Sequence, residues 1–259
     1  MKPVCLIIGA GAGIGGHVGK RFARDGYHII LSRRSDGSGL ENLVKDIVQD
    51  GGSAEGRLLN IVDENAIEDL IHDIEKNSGP IEVVVHNIGA QIGNRRLTDT
   101  SLKTFELGWR LSCFSLFILA YTVLPLMAQR GKGTLLVTSS TAAQRGNAGQ
   151  HSHAAAMGGR RMLCQSLNAE FASQNIHVAH IVIDGAVDAP DTLGKMLGSE
   201  AFEKLRKDKG SEDGLMLPEH IAETYFHIAQ QHRSVWTHEL DLRSFSDEAW
   251  WNHAVNIEF

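Results

Sequence analysis

Cysteine is scarce in this chain: Cys5, Cys113 and Cys164 are an odd number, far apart and without a Cys-x-x-Cys spacing. That excludes a disulfide framework and suits reduced thiols in the cytoplasm. A basic excess is also lacking, since 25 Lys and Arg face 31 Asp and Glu for a net charge of −6. The basic clusters are mere pairs, such as Arg33-Arg34 and Arg95-Arg96, so no nucleic-acid partner is expected. The longest apolar run, Cys113–Ala128, is interrupted by Ser115, Tyr121, Thr122 and Pro125. It falls short of the roughly 20 apolar residues of a membrane helix. The start, Met1-Lys2 followed by Val4–Ile8 and then glycines, lacks the long apolar core and cleavage site of a signal peptide. These absences predict a soluble, cytoplasmic protein with no membrane partner.

What is present is ordinary for a globular chain. Apolar residues at 42% and charged residues at 22% exclude disorder, and 27 glycines without a three-residue period exclude collagen. A chain of 259 residues suits one α/β domain spanning 1–259. Short β-branched runs occur at Val4–Ile8, His28–Ser32, Ala54–Leu59, Glu82–His86, Thr134–Ser139, His177–Ile183 and Trp236–Leu242. They alternate with stretches of helical period, the pattern of a parallel sheet covered by helices. The helix Ile14–Asp25 stops at Gly26, a left-handed cap, and Asp63 caps a helix with Ile67, Leu70, Ile71 and Ile74 on one face. The helices Trp109–Gln129 and His153–Ser173 carry more apolar surface than one sheet face can cover, which predicts a homodimer or homotetramer. The segment Pro190–Pro218 is the least periodic and reads as a mobile lid over a substrate pocket, with its charged run Glu203–Asp213 as a solvated face. There is no internal repeat and no low-complexity linker.

After the first strand comes Gly9-Ala10-Gly11-Ala12-Gly13-Ile14-Gly15-Gly16, and then a helix. Glycines allow the tight turn and let backbone N–H groups approach a pyrophosphate at the helix N-terminus. Two registers match, Gly9-x-x-x-Gly13-x-Gly15 and Gly11-x-Gly13-x-x-Gly16, and the first is preferred because the strand ends at Ile8. The second strand ends in Ser32-Arg33-Arg34. An acid there would serve a ribose hydroxyl, whereas arginines suit a 2′-phosphate, so NADP(H) is expected over NAD(H).

These residues and several spaced motifs resemble the short-chain dehydrogenase/reductase superfamily over essentially the whole chain. Gly9, Gly13 and Gly15 match its glycine loop; His86-Asn87-Ile88-Gly89 stands where the family has Asn-Asn-Ala-Gly; Pro125-Leu126-Met127 and Gly133–Ser140 match two further motifs. Asp184-Gly185-Ala186-Val187-Asp188-Ala189 stands where the family has Pro-Gly-x-Val-x-Thr. The resemblance implies a Rossmann-type, doubly wound parallel sheet of seven strands, helices on both faces, and a nucleotide across its carboxyl edge. It implies cofactor contacts from Gly9, Gly11, Ala12, Gly13, Ile14, Gly15, Ser32, Arg33, Arg34, Asn60, Ile61, Asn87, Ile88, Gly89, Met157, Asp184, Gly185 and Val187. It also implies pairing of the two long apolar helices around a two-fold axis.

The family's catalytic Asn, Ser, Tyr and Lys are only partly matched. Ser140 stands at the serine position, but His153-Ala154-Ala155-Ala156-Met157 replaces Tyr-x-x-x-Lys and Ser112 stands where the Asn belongs. Asn60 and Ala189 replace an adenine-contacting Asp and a nicotinamide-contacting Thr of the family. A tyrosine acid needs a neighbouring lysine cation to lower its pKa from about 10, whereas histidine, with a reference value of about 6.5, does not. Ser140 and His153 are therefore the candidate catalytic residues. His151 and His153 form an H-x-H pair with no Cys, Asp or Glu nearby to complete a metal shell, so no metal is expected. Arg161, one turn beyond Met157, is expected in a surface ion pair. Three functions remain open: an NADP(H)-dependent oxidoreductase acting on a small carbonyl, alcohol or imine; a silent nucleotide-binding regulator or sensor; and an enzyme using the pocket for non-redox chemistry.

Overall fold

The computed structural model describes residues 2–89, 95–211, 213–249 and 251. The last residues of the expected unit 1–259, and one residue within 190–218, lie outside them. The described chain forms one seven-stranded sheet of order β3-β2-β1-β4-β5-β6-β7, with every neighbouring pair parallel. The strands are β1 Val4–Ile8, β2 His28–Arg33, β3 Ser53–Leu58, β4 Ile81–His86, β5 Gly133–Ser140, β6 Ile176–Asp184 and β7 Glu239–Arg243. All seven strand expectations hold: β1 has the expected bounds, and no end of the others is shifted by more than three residues.

A strand sends successive side chains to opposite faces, and β1 shows why its run is apolar throughout. Val4, Leu6 and Ile8 pack with Ile67, Ile71, Leu119 and Val123 on one side. Cys5 and Ile7 pack with Val18, Phe22, Ile221 and Tyr225 on the other. A central parallel strand buried on both faces needs no polar alternation. The helices around the sheet are α1 Ile14–Arg24, α2 Gly37–Gln49, α3 Glu64–Asn77, α4 Leu102–Trp109, α5 Ser115–Arg130, α6 His151–Phe171, α7 Lys195–Leu197, α8 Ser199–Gly210 and α9 Pro218–Ala229. Gly26 (φ +88°) follows the end of α1 in the left-handed region, and Asp63 accepts the Asn65 amide at the start of α3, 3.2 Å.

Two expectations need correction. The helix expected at Trp109–Gln129 begins earlier: α4, a π-helical turn Arg110–Phe114 and α5 run together. The resulting stretch Leu102–Arg130, 29 residues, is long and apolar enough to cross a membrane by length and composition. The interrupting Ser115 and Thr122 do not shorten it, because each hydroxyl donates to the carbonyl four residues back, Leu111 and Ile118. Leu116, Leu119, Val123, Leu124 and Met127 are wholly buried in the core. The aperiodic segment after Pro190 is mostly helical: a π-helical turn Pro190–Gly194, then α7 and α8. Its amphipathic pattern is faint because Phe202 is the only residue of α8 buried in the core.

Candidate functional site

The strand order reverses between β1 and β4, so the crossovers leave a crevice at the carboxyl ends of these strands. β1 ends at Ile8 and the chain turns at Gly9, φ +94°. A side chain at Gly9 would place its Cβ 2.6 Å from the Asn87 carbonyl oxygen, and one at Gly15 would place it 2.5 Å from the Gly9 carbonyl oxygen. Gly13 is closed by the Ala189 methyl at 2.9 Å, whereas Gly11 faces open space. Sterics thus impose glycine at 9, 13 and 15, and Gly16 is a further forced position, against Gly11 O at 2.4 Å. The loop is moored to its neighbours. Gly9 and Ala10 donate their amides to Ser32 O at 2.9 and 2.8 Å, and Asn87 Nδ2 donates to Gly9 O at 2.9 Å.

α1 begins without a side-chain cap and without an acid in its first turn. Gly16 donates its amide to Gly11 O at 2.9 Å and His17 to Gly13 O at 3.3 Å, which leaves the Ile14 and Gly15 amides to be met by an anion at this terminus. Two adjoining cavities open there. The first, about 250 Å³, is lined by Gly9, Gly11, Gly13, Ile14, Gly15, Asn87, Ile88, Gly89, Thr138, Ser139, Ser140, His153, Met157, Arg160, Val187, Ala189 and Thr192. The second, about 360 Å³, shares Gly9, Gly11, Asn87, Ile88, Gly89 and Thr192 and adds Ser32, Arg33, Arg34, Ser35, Leu59 and Ile61. Ser32 Oγ is buried there with no hydrogen-bond partner. Arg34 is exposed, and Arg33 is held by Asp36 at 3.1 Å.

Ser140 and His153 meet in the first cavity. Ser140 ends β5 and His153 lies in the first turn of α6; Ser140 Oγ is 3.1 Å from His153 Nε2, with the donor set by the imidazole tautomer. Beside them Met157 is buried, its thioether accepting the Ser139 hydroxyl at 3.8 Å. Ser112 lies in the π-helical turn, wholly buried, with its own hydroxyl unpartnered. Four expected contact residues line neither cavity: Ala12, Asn60, Asp184 and Gly185. Asn60 is exposed at the rim, and Asp184 is turned to Arg243 at 3.3 Å.

Arg160 is the residue that sequence reasoning missed. Arg161 forms the expected ion pair, bidentate with Glu239 at 2.7 Å. Its neighbour points the other way: Arg160 is 1% exposed and lines the first cavity. Its Nε and Nη2 donate to Ser112 O at 3.2 and 3.1 Å, Nη2 donates to Ile88 O at 2.8 Å, and Nη1 donates to Thr138 O. Burial pulls its pKa down to about 10, which still leaves it cationic at neutral pH. A helical face repeats every three to four residues, so the spacing from His153 and Met157 to Arg160 was the available signal.

The model of the short chain dehydrogenase family matches residues 3–194. The 7alpha-hydroxysteroid dehydrogenase of Escherichia coli K12 is 28% identical over 200 residues, 77% of this chain and 76% of its own length. A short-chain dehydrogenase from Rhodopseudomonas palustris has a similar crystal structure, with TM-score 0.78 and 29% identity over 93% of this chain and 98% of that one. A 7 alpha-hydroxysteroid dehydrogenase complexed with NADH and 7-oxo glycochenodeoxycholic acid superposes with TM-score 0.80 and 25% identity, covering 93% of this chain and 92% of that one. Glycine loop, seven-stranded order and matched length agree, and this chain belongs to the short-chain dehydrogenase family.

Proposed function

We propose that this chain is an NADP(H)-dependent oxidoreductase acting on a small carbonyl, alcohol or imine, with Ser140 and His153 as its substrate-facing pair. One observation carries the reading: Ser140 Oγ and His153 Nε2 are hydrogen-bonded at 3.1 Å on the wall of the cavity that begins at the glycine loop. The glycine loop, in which Gly9, Gly13 and Gly15 pack too closely on Asn87, Ala189 and Gly9 for a Cβ while Gly11 faces open space, suits a pyrophosphate. The orphaned Ser32 hydroxyl and the Arg33 and Arg34 guanidinium groups suit a 2′-phosphate. Bound NADP(H) supplies or accepts hydride; the residues of this chain supply the proton and the charge.

In this reading His153 and Met157 stand at the family's Tyr and Lys positions and Ser112 at its Asn position. Ser140 donates to the oxygen that gains charge, and His153 gives or takes the proton at Nε2. Met157 cannot donate, which is the observation favouring the second reading, a nucleotide-binding protein without turnover. The helices after Pro190 form the lid, and the solvent-facing aromatic surface of α5 forms the interface of a homodimer or homotetramer. The three free thiols suit a cytoplasmic setting.

The test is NADPH oxidation against a panel of ketones and imines with the parent and His153→Ala. Turnover in the parent and its loss in His153→Ala, with NADPH still bound, is expected. Undiminished turnover in the variant removes the histidine role; nucleotide binding without any turnover in the parent establishes the second reading.

A further inference from the structure

Among the described residues lining the first cavity, Arg160 carries the one fixed charge; no Asp or Glu lines either cavity. It has no counter-ion: no ion pair among the described residues includes it. Five titratable groups among the described residues that feel its charge are kept neutral at pH 7, and His153 lines the same cavity. Burial pushes the Cys113 and Cys164 thiols and the Tyr225 phenol up, and it pushes the His86 and His180 imidazoles down. Four of the five guanidinium hydrogens are spent on the carbonyls of Ile88, Ser112 and Thr138. These dipoles solvate the charge enough to keep it buried, but they leave its net value at one. An uncompensated cation in a low-dielectric wall acts on whatever enters the cavity beside it.

We propose that Arg160 is the fixed positive charge of the nucleotide cavity and that it biases the site toward the reduced nucleotide. This rests on the function proposed above, which brings the nicotinamide end of NADP(H) into the cavity of Ser140, His153 and Arg160. The oxidised ring carries a positive charge and the reduced ring is neutral, while the phosphates are the same in both. Repulsion from Arg160 therefore weakens the oxidised form selectively and leaves contacts with the glycine loop untouched. The consequence is direction: the protein loads NADPH from a mixed pool and works as a reductase. A guanidinium at this place does for the cavity what Met157, apolar and one turn earlier on α6, does not.

The experiment is a pair of calorimetric titrations, NADPH and NADP+, on the parent, Arg160→Lys and Arg160→Gln. The parent is expected to bind NADPH about tenfold more tightly than NADP+, the size of one charge pair across several ångströms of partly screened protein. Arg160→Lys retains most of that ratio, and Arg160→Gln, which keeps amide donors for the buried carbonyls, brings it close to one. Equal affinities in the parent, or an unchanged ratio in a folded Arg160→Gln, overturn the assignment while leaving the nucleotide site standing. If circular dichroism shows Arg160→Gln unfolded, the parent's ratio decides alone. Failure of the parent to bind either nucleotide overturns both this inference and the proposed function.

Discussion

Asn87 Nδ2 donates to the Gly9 carbonyl oxygen at 2.9 Å, joining the segment after β4 to the turn after β1. Asn87 N also donates to Ile8 O at 2.8 Å, so both the main chain and the side chain of this residue hold the glycine loop from beneath. The bond lies where the sheet order reverses, and it fixes the loop's shape before any nucleotide arrives. Asn87→Ala is expected to leave the Gly9 carbonyl unpaired, costing about 1–2 kcal/mol. A lower melting temperature and NADPH affinity weakened about tenfold would show it, the fold-change following from the same energy. An unchanged titration would mean that the loop holds its shape alone.

Gly15→Ala and Gly11→Ala form a matched pair. The first forces a methyl to within 2.5 Å of the Gly9 carbonyl oxygen, and the second meets nothing within 4 Å. The loop must shift in Gly15→Ala, so nucleotide binding should be lost and stability lowered by about 1–3 kcal/mol. Gly11→Ala should keep the parent's stability, and any loss of binding there comes from a methyl in the cavity and not from a shifted loop. Urea melts and NADPH fluorescence on both variants check the pair, and equal behaviour of the two would refute the steric assignment.

Arg33 is shared between the second cavity and Asp36, 3.1 Å away on an exposed turn. Asp36→Asn frees that guanidinium for a phosphate, although it also weakens a carboxylate that accepts the Gly39 amide at the start of α2. NADPH should bind several-fold more tightly than to the parent, with NADH unchanged. Arg33→Glu should do the reverse and weaken NADPH about tenfold. Equal parental affinities for the two nucleotides would remove the preference for the phosphorylated one.

The strands are legible in the sequence because a parallel sheet buried on both faces demands continuous apolar runs, and Val4–Ile8 has nowhere else to go. The glycine loop is legible because close packing, on backbone at 9 and 15 and on the Ala189 methyl at 13, leaves no room for Cβ. Arg160 is not, since Arg160-Arg161 are identical neighbours and only the rotation of about 100° between them separates a buried wall from a surface ion pair. The beginning of the long apolar helix at Leu102 is also hidden. Lys103, Thr104 and Glu106 look like loop chemistry, while Ser101 Oγ caps the helix by accepting the Thr104 amide at 3.1 Å.

Phe117 and Tyr121 stand one turn apart on α5, stacked with centroids 6.1 Å apart, and are 48% and 72% exposed. Such aromatics on the outer face of an otherwise buried helix are a poor surface for water and a good one for a second copy. The parent is expected to scatter light as a dimer or larger species. The double variant Phe117→Glu, Tyr121→Glu should run as a 28.3 kDa monomer. A monomeric parent at micromolar concentration would refute the homo-oligomer.

Buried histidines predict acid sensitivity, and the sign follows from their direction. His180 lies on β6, wholly buried, its Nδ1 3.0 Å from Oε2 of Glu239 on β7. Burial outweighs that carboxylate and pulls its pKa down to about 4. Burial also lowers His177, stacked on Trp236 at 4.8 Å, and lowers His86 well below the ordinary range. In the unfolded chain each returns to about 6.5. Between about pH 6.5 and 4 the unfolded state therefore binds more protons than the native one, so stability is full above that window and is lost as the pH falls through it. His180 alone contributes on the order of 2 kcal/mol by pH 4.5. Urea midpoints measured from pH 8 to 5 should be flat down to about 7 and then fall. His180→Asn keeps a donor for Glu239 but takes up no proton, so its midpoint should decline less steeply over the same range. A parent midpoint independent of pH from 8 to 5 would show that these imidazoles take up protons in the native state as readily as in the unfolded chain.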